Sequence, residues 1–134
     1  LELPINVIGL IASCENMPSG HAIKPGDIIK SRAGKTIEIL NTDAEGRLIL
    51  CDAIDYARKF NPKMVIDIAT LTGAILIALG SHASGLFTED EELAQMLIEA
   101  GNASGARVWR LPMWEEYQKP LESSFADIAN ASFE

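Results

Sequence analysis

The sequence lacks a long apolar run and lacks an excess of positive charge. Its longest apolar stretch, residues 66–80, is interrupted by Asp67, two threonines and a glycine, whereas a membrane-spanning helix needs about 20 apolar residues. Eleven Lys and Arg residues against nineteen Asp and Glu residues give a net charge of -8. This balance argues against nucleic acid as a main partner and against an anionic membrane surface. We therefore expect no membrane among the partners and no nucleic acid as a main partner.

Cysteine and histidine are also scarce, with two residues of each. Cys14 and Cys51 show neither a disulfide framework nor the spacing of a metal site. We expect them to be buried free thiols in a reducing compartment, which favours a cytoplasmic location. His21 and His82 stand alone in loop-like contexts, so we expect neither of them to be a metal ligand.

The chain has 134 residues, of which 48% are hydrophobic, enough for one domain with a real core. It does not begin with Met, and a strand pattern is already present at residues 5–12. The last residues, "FADIANASFE", stop without a terminating element. We therefore expect residues 1–134 to be a piece of a longer protein, truncated at both ends; this longer protein is called the parent below.

Apolar periodicity predicts alternating strands and helices. The predicted strands are residues 5–12, 27–31, 36–40, 64–69, 83–87 and 108–111, and two predicted helices are residues 48–60 and 71–79. A third helix is predicted from the apolar face formed by Leu93, Met96, Leu97 and Ala100. Ala33-Gly34 predicts a hairpin, and Thr88 with Glu91 predicts a capping box ahead of the third helix, which Gly101 would end. Strands that are apolar on both faces favour an α/β class, as a layered α/β/α domain with a mostly parallel central sheet.

Two carboxylates and a guanidinium are concentrated in "LNTDAEGRL", residues 40–48, between a predicted strand and a predicted helix. If this segment is extended, Asp43, Glu45 and Arg47 leave the same side of the chain. In a helix, side chains two positions apart would point about 200° apart. Two neighbouring carboxylates repel each other unless a cation or a proton intervenes, and hard divalent cations prefer carboxylate oxygens.

A purely structural interpretation of the same pattern remains open. Asp43 would then cap the following helix, and Glu45 would pair with Arg47 in solvent. For Asp67, inside an apolar strand pattern, we expect a carboxylate satisfied by backbone N–H groups at the end of that strand.

"NTDAEGRL" resembles the signature octapeptide of the leucine aminopeptidase family, the cytosolic dinuclear metallopeptidases. The resemblance extends to "NVIGLIASCENMPSGHAIKPGDI", "VIDIATLTGAILIALG", "WRLPMWEEY" and "SFADIAN", and so covers almost the whole chain. It implies an enzyme that removes N-terminal residues such as leucine from peptides. It also implies a hexameric homo-oligomer in the cytoplasm.

The resemblance assigns roles to individual residues. It implies that Asp43 and Glu45 ligate two divalent metal ions, usually zinc, manganese or magnesium. It implies that Arg47 is catalytic, lies beside the scissile bond and holds a bicarbonate-like anion that helps to deprotonate the attacking water.

The segment "ATLTG", residues 69–73, is implied to line the substrate cleft through Thr70, Leu71 and Gly73. Independently of the family, it is predicted as a strand-to-helix turn, whose free N–H and C=O groups suit a peptide backbone. Helix capping by Thr70 and Thr72 is the alternative role.

The chain also departs from the family pattern. The other family ligands, which are lysines and further aspartates, lie upstream of the octapeptide and are absent here. We therefore expect part of a C-terminal catalytic domain that is inactive by itself. The competing interpretation is a non-catalytic α/β module whose acidic loop binds a cation or a partner. A phosphate-binding domain is disfavoured, because "ATLTGA" has too few glycines and no lysine.

Overall fold

The computed structural model describes residues 3–132, and they contain three α-helices and five short strands. The helices are α1 (Gly46–Ala57), α2 (Ala74–Leu79) and α3 (Glu91–Ser104), and the strands are β1 (Ile28–Lys30), β2 (Thr36–Glu38), β3 (Ser84–Leu86), β4 (Val108–Arg110) and β5 (Ile128–Ala129). The mixture confirms the predicted α/β class. Within residues 3–132 no helix combines the length and the apolar character needed to cross a membrane.

The chain divides into two compact units, which are described separately. Unit 1 contains residues 3–68 and 120–132, and unit 2 contains residues 69–119.

Unit 1 is organised by a three-stranded sheet in the order β1-β2-β5. Strands β1 and β2 form the predicted antiparallel hairpin, with Ile29 opposite Ile37. Gly34 has a φ of 90°, a left-handed conformation that glycine adopts without a steric penalty. Strand β5 runs parallel to β2, with Ile37 opposite Ile128, although the two strands are far apart in sequence.

The core of unit 1 lies along β2 and β5. Ile39 is completely buried, and Ile37, Ala129 and Ala131 are almost so. Asn130 is the buried polar residue of this core and is 3% exposed. The sheet therefore places an amide side chain where a polar group without a hydrogen-bond partner would lower the stability of the fold.

Helix α1 is attached to the tip of the hairpin through Arg32. The backbone N–H of Arg32 donates to Asp52 at 2.8 Å, and its Nε lies 3.1 Å from the carboxylate of Asp55. The guanidinium also stacks over the ring of Tyr56, at 5.2 Å from the centroid. These contacts orient the helix that contains Arg47, the last residue of the D-x-E-x-R segment, residues 43–47.

Unit 2 pairs β3 with β4 in parallel, with Gly85 opposite Trp109. Helix α2 packs closely on this pair, because a Cβ added at Gly85 would lie 2.5 Å from Cδ1 of Ile75. Helix α3 approaches the following backbone equally closely, since a Cβ at Gly101 would lie 2.7 Å from the carbonyl oxygen of Ala106. Both glycines are thus required by packing.

Two of the predicted strands are wrong. Residues 5–12 and 64–69 have no regular secondary structure, and Ile11 and Ile68 are 90% and 94% exposed. A strand is defined by hydrogen bonds to a neighbouring strand, and an apolar run does not supply that neighbour. Within residues 3–132 the strands therefore form two small sheets. The expected burial of Cys14 is also wrong, because this thiol is exposed.

The helix boundaries also differ from the prediction. The N-cap of α3 is Asp90, whose carboxylate accepts from Leu93 N–H at 2.9 Å, so the predicted Thr88 and Glu91 capping box is wrong. Helix α3 continues past Gly101 to Ser104 and stops at Gly105, which has a φ of 81°. The side-chain cap and the left-handed glycine fix these ends more strongly than the apolar pattern does.

Strands β2 and β5 are joined at one end by Thr36 and Asp127. The carboxylate of Asp127 accepts from the backbone N–H of Thr36 at 2.8 Å and from its hydroxyl at 2.9 Å. The backbone N–H bond, followed by the hydroxyl bond, lowers the pKa of Asp127 below its ordinary value of 3.8. A lowered pKa in the folded state means that this carboxylate adds stability above the unfolded pKa, and that the stability is lost as the pH falls through the folded pKa.

We expect Asp127→Asn to destabilise the parent at pH 6, because the charged acceptor of the Thr36 bonds is lost. The melting temperatures of the variant and the wild type should converge as the pH is lowered toward 3. Thermal unfolding of both proteins across this range measures the effect. A temperature difference that stays constant with pH would contradict a role for the ionised carboxylate.

Candidate functional site

The D-x-E-x-R segment is helical and not extended. Residues Thr42–Ala44 form a 3-10 turn capped by Asn41, whose Oδ1 accepts from Asp43 N–H at 2.9 Å. Glu45 has helical dihedral angles and leads directly into α1, whose first turn contains Arg47. The extended conformation in which these three side chains would converge is therefore not formed, because the side-chain cap of Asn41 starts helical geometry before Asp43. Asp43, Glu45 and Arg47 thus do not leave one side of the chain by strand alternation.

The two carboxylates of this segment have no partner within residues 3–132. Asp43 is exposed and Glu45 is half-buried, and neither side chain accepts a hydrogen bond or forms an ion pair there. The alternative in which Asp43 caps α1 is wrong, since Asn41 supplies the cap of the preceding turn and α1 has no side-chain cap. The alternative pairing of Glu45 with Arg47 is not formed either.

Arg47 is half-buried and is held by the backbone of Asn130. Its NH1 group donates to the Asn130 carbonyl oxygen at 3.0 Å. Its Nε is buried and has no hydrogen-bond partner in the part of the chain that the structure describes. The guanidinium therefore has donor capacity beyond its one protein contact, which suits a planar anion.

The side chain of Asn130 holds the backbone that leads into the D-x-E-x-R segment. Its Oδ1 accepts from the N–H groups of Leu40 at 2.9 Å and Asn41 at 3.2 Å. Its Nδ2 donates to the carbonyl oxygens of Asn41 at 2.6 Å and Ala44 at 3.5 Å. Sequence reasoning missed this residue. The available signal was an amide directly after the apolar pair Ile128-Ala129, since an amide that is buried with such a pair needs several hydrogen-bond partners.

The donor set of the chain fits part of a metal site. Asp43 and Glu45 offer carboxylate oxygens of the type that hard divalent cations prefer. Across residues 3–132 there is no group of three or more His, Cys, Asp or Glu side chains placed to hold a metal ion. The chain therefore supplies two candidate ligands and not a complete ligand shell.

Cys51 lies in α1, one turn after Arg47, and its thiol donates to the carbonyl oxygen of Leu48 at 3.0 Å. Burial raises the pKa of this thiol, and the neighbouring carboxylate of Asp52 raises it further. The thiol therefore stays protonated at neutral pH, which makes it a poor nucleophile and a poor metal ligand.

The "ATLTG" residues lie in unit 2, immediately before α2. The predicted start of this helix at residue 71 is too early, because residues 69–72 are irregular and α2 begins at Ala74. The hydroxyl of Thr72 accepts from Ala74 N–H at 3.3 Å, but the N-cap of α2 is Gly73 and the helix has no side-chain cap, so the capping alternative is wrong for Thr72. Leu71 is exposed. Gly73 has a φ of -67°, and a Cβ there would meet no atom within 4 Å. Neither its backbone nor its packing requires a glycine.

Comparison with known proteins places the chain in a family. Residues 1–133 match the model of the cytosol aminopeptidase family, catalytic domain. The chain belongs to the cytosol aminopeptidase family. The resemblance of the octapeptide and its flanking segments to leucine aminopeptidases is thereby confirmed.

Individual relatives agree with the family assignment. The chain is 61% identical over 130 residues to a probable cytosol aminopeptidase of Methylobacillus flagellatus, and 60% identical over 130 residues to one of Shewanella denitrificans. Each match covers 97% of this chain and 26% of the relative. A solved structure of a tomato leucine aminopeptidase mutant matches with a TM-score of 0.86 and 50% identity, over 89% of this chain and 24% of that one. The chain thus spans about a quarter of the length of these family members.

Proposed function

We propose that this chain is part of the catalytic domain of a metal-dependent aminopeptidase that removes leucine and similar N-terminal residues from peptides in the cytoplasm. The observation that carries the proposal is the pair of unpartnered carboxylates, Asp43 and Glu45, in a segment with the aminopeptidase octapeptide. An exposed and a half-buried acid two positions apart, without a cation from the protein, suit a site completed by metal ions.

Exposed apolar side chains support placement inside a larger domain. Ile11, Ile68 and Ile77 are 90%, 94% and 91% exposed, and each lies within a predominantly apolar stretch of the sequence. Exposed apolar surface of this extent is unusual for a stable monomer. The relatives are about four times longer than the matched segment. Other residues of the parent are therefore proposed to pack against these exposed apolar side chains. The parent is proposed to form a homo-oligomer, a hexamer by family resemblance.

Asp43 and Glu45 would hold two divalent ions, of manganese, zinc or magnesium, together with ligands outside this chain. When bound, such ions supply an activated water and a polarised peptide carbonyl. The protein's part is to present both carboxylates without a competing partner. The absence of hydrogen bonds to them within residues 3–132 is consistent with this task.

Arg47 is proposed to hold a bicarbonate-like anion and to stabilise negative charge in the transition state. Its Nε is a buried donor without a partner in the described chain, and NH1 is anchored to Asn130. A guanidinium held at NH1 has less freedom to rotate, and its planar geometry fixes the directions of its other N–H groups relative to that contact. Prearranged donors of this kind lower the barrier more than mobile ones do.

Thr70, Leu71 and Gly73 are proposed to line the cleft that accepts the peptide. The exposed side chain of Leu71 offers apolar contact, and the irregular backbone before α2 offers N–H and C=O groups. The open space at Gly73 supports this proposal, because a glycine that its own chain does not require leaves room for a ligand.

A second candidate is a non-catalytic module whose acidic segment binds one loose cation. The observation that favours it is the lack of any three-ligand metal group within residues 3–132. Hydrolysis of leucyl amides by the parent with added manganese separates the two candidates, because a module binds the ion without turnover.

In the parent, Asp43→Asn and Glu45→Gln should each lower kcat by more than about 100-fold, since even indirect partners of metal ligands cost about 10- to 100-fold. Melting temperature should change little, because neither carboxylate has a partner in this chain. Asp55→Asn is the matched control, because Asp55 lies in the adjoining helix α1 and is paired with Arg32. Near wild-type activity and metal content in either loop variant would refute the metal assignment.

Arg47→Ala in the parent should lower kcat by about 100-fold, the usual effect of losing a transition-state donor, with little change in KM or metal content. Arg47→Lys should recover part of the loss, because an ammonium lacks the paired N–H geometry. Added bicarbonate should help wild type more than Arg47→Ala. A large drop in melting temperature with kcat preserved would instead make Arg47 structural.

The isolated 134-residue chain should not hydrolyse leucyl amides and should bind divalent metal weakly. Two carboxylates cannot supply the six or more oxygen ligands that a hard cation takes. Metal titration and amide hydrolysis of the purified chain, measured beside the parent, test this. Robust turnover by the isolated chain would show that the site is complete within it.

A further inference from the structure

The buried amide of Asn130 has its orientation fixed by its partners. Two N–H groups, of Leu40 and Asn41, face one atom, which must therefore be the oxygen. Two carbonyl oxygens, of Asn41 and Ala44, face the other atom, which must therefore be the NH2 group. A rotation of the amide by 180° would set like against like at all four contacts.

The backbone of the same residue connects two further elements. Its N–H donates to the carbonyl of Glu38 in β2 at 2.9 Å, which continues the pairing of β5. Its carbonyl accepts from NH1 of Arg47 at 3.0 Å. Asn130 thus contacts the end of β2, the turn that contains Asp43, and the guanidinium of Arg47.

We infer that Asn130 is a positioning residue for the metal-binding segment and Arg47. The inference rests on the proposed function, since it concerns the geometry of that site. Leu40, Asn41 and Ala44 flank Asp43 in the chain, and their backbone groups are held by one rigid side chain. Without the amide, these groups would turn to water. The backbone on both sides of Asp43 would then lose its support, and the Asn130 carbonyl that accepts from Arg47 would no longer be held in place.

Asn130→Asp and Asn130→Ala in the parent separate positioning from stability. Asp keeps the acceptor for Leu40 and Asn41 but places an oxygen against the Asn41 carbonyl, and Ala removes all four bonds. Asp127→Ala is the matched control, because it breaks the Thr36 contacts at the other end of β5 and touches neither the segment nor Arg47. Melting temperature, metal content, kcat and KM are measured for all three.

Both Asn130 variants should lose kcat by about 10- to 100-fold, as is usual for residues that orient metal ligands, with a smaller change in KM. Asp127→Ala should melt earlier and keep kcat near wild type. The inference is overturned if the Asn130 variants keep kcat within about twofold of wild type. It is also overturned if their loss equals that of Asp127→Ala, or if both fail to fold while Asp127→Ala folds.

Asp43→Asn is assayed in parallel. It distinguishes a failure of the positioning role of Asn130 from a failure of the proposed function. If Asp43→Asn abolishes turnover while the Asn130 variants stay active, the site assignment stands and the positioning role of Asn130 falls. If Asp43→Asn stays active, the metal assignment of Asp43 is wrong. A loss of kcat seen only in the Asn130 variants would then show that Asn130 acts on a different site.

Discussion

The parallel pairing of β2 with β5 is the constraint on which unit 1 depends. It joins backbone segments 91 positions apart in the sequence, with Thr36 and Asp127 at one end. It buries Ile37, Ile39 and Ala129, and at its other end it brings Asn130 against the segment that leads into α1. Without this one non-local contact, neither the core of the unit nor the support of Arg47 would exist.

A buried amide in this position also limits the alternatives open to the sheet. Shifting β5 by one residue would turn Asn130 toward the opposite face and leave both its donors and its acceptor unpaired. Leaving a buried polar group unsatisfied costs about 1–3 kcal/mol, and here four bonds depend on one side chain. The polar network therefore selects the same register that the apolar residues favour.

In the candidate site, hydrogen bonds hold the backbone, whereas the two acidic side chains have no protein partner within residues 3–132. The turn before α1 is fixed by Asn41 and Asn130, while the carboxylates of Asp43 and Glu45 are left without protein partners within residues 3–132. This arrangement suits a segment whose two negative charges are neutralised by a group that is not part of this chain. The chain spans about a quarter of the length of these relatives, and within residues 3–132 no group of three or more His, Cys, Asp or Glu side chains could hold a metal ion.

The sequence by itself determined the α/β class, the hairpin at Gly34, the helix beginning near residue 48 and the family, because glycine conformation, apolar periodicity and an octapeptide are local signals. It failed at residues 5–12 and 64–69, where a strand needs a partner that periodicity cannot supply. It also failed at the D-x-E-x-R segment, where the cap by Asn41 gives helical geometry. Only the tertiary structure revealed Asn130, because its contacts join residues about ninety positions apart, and no local pattern encodes which distant backbone an amide will meet.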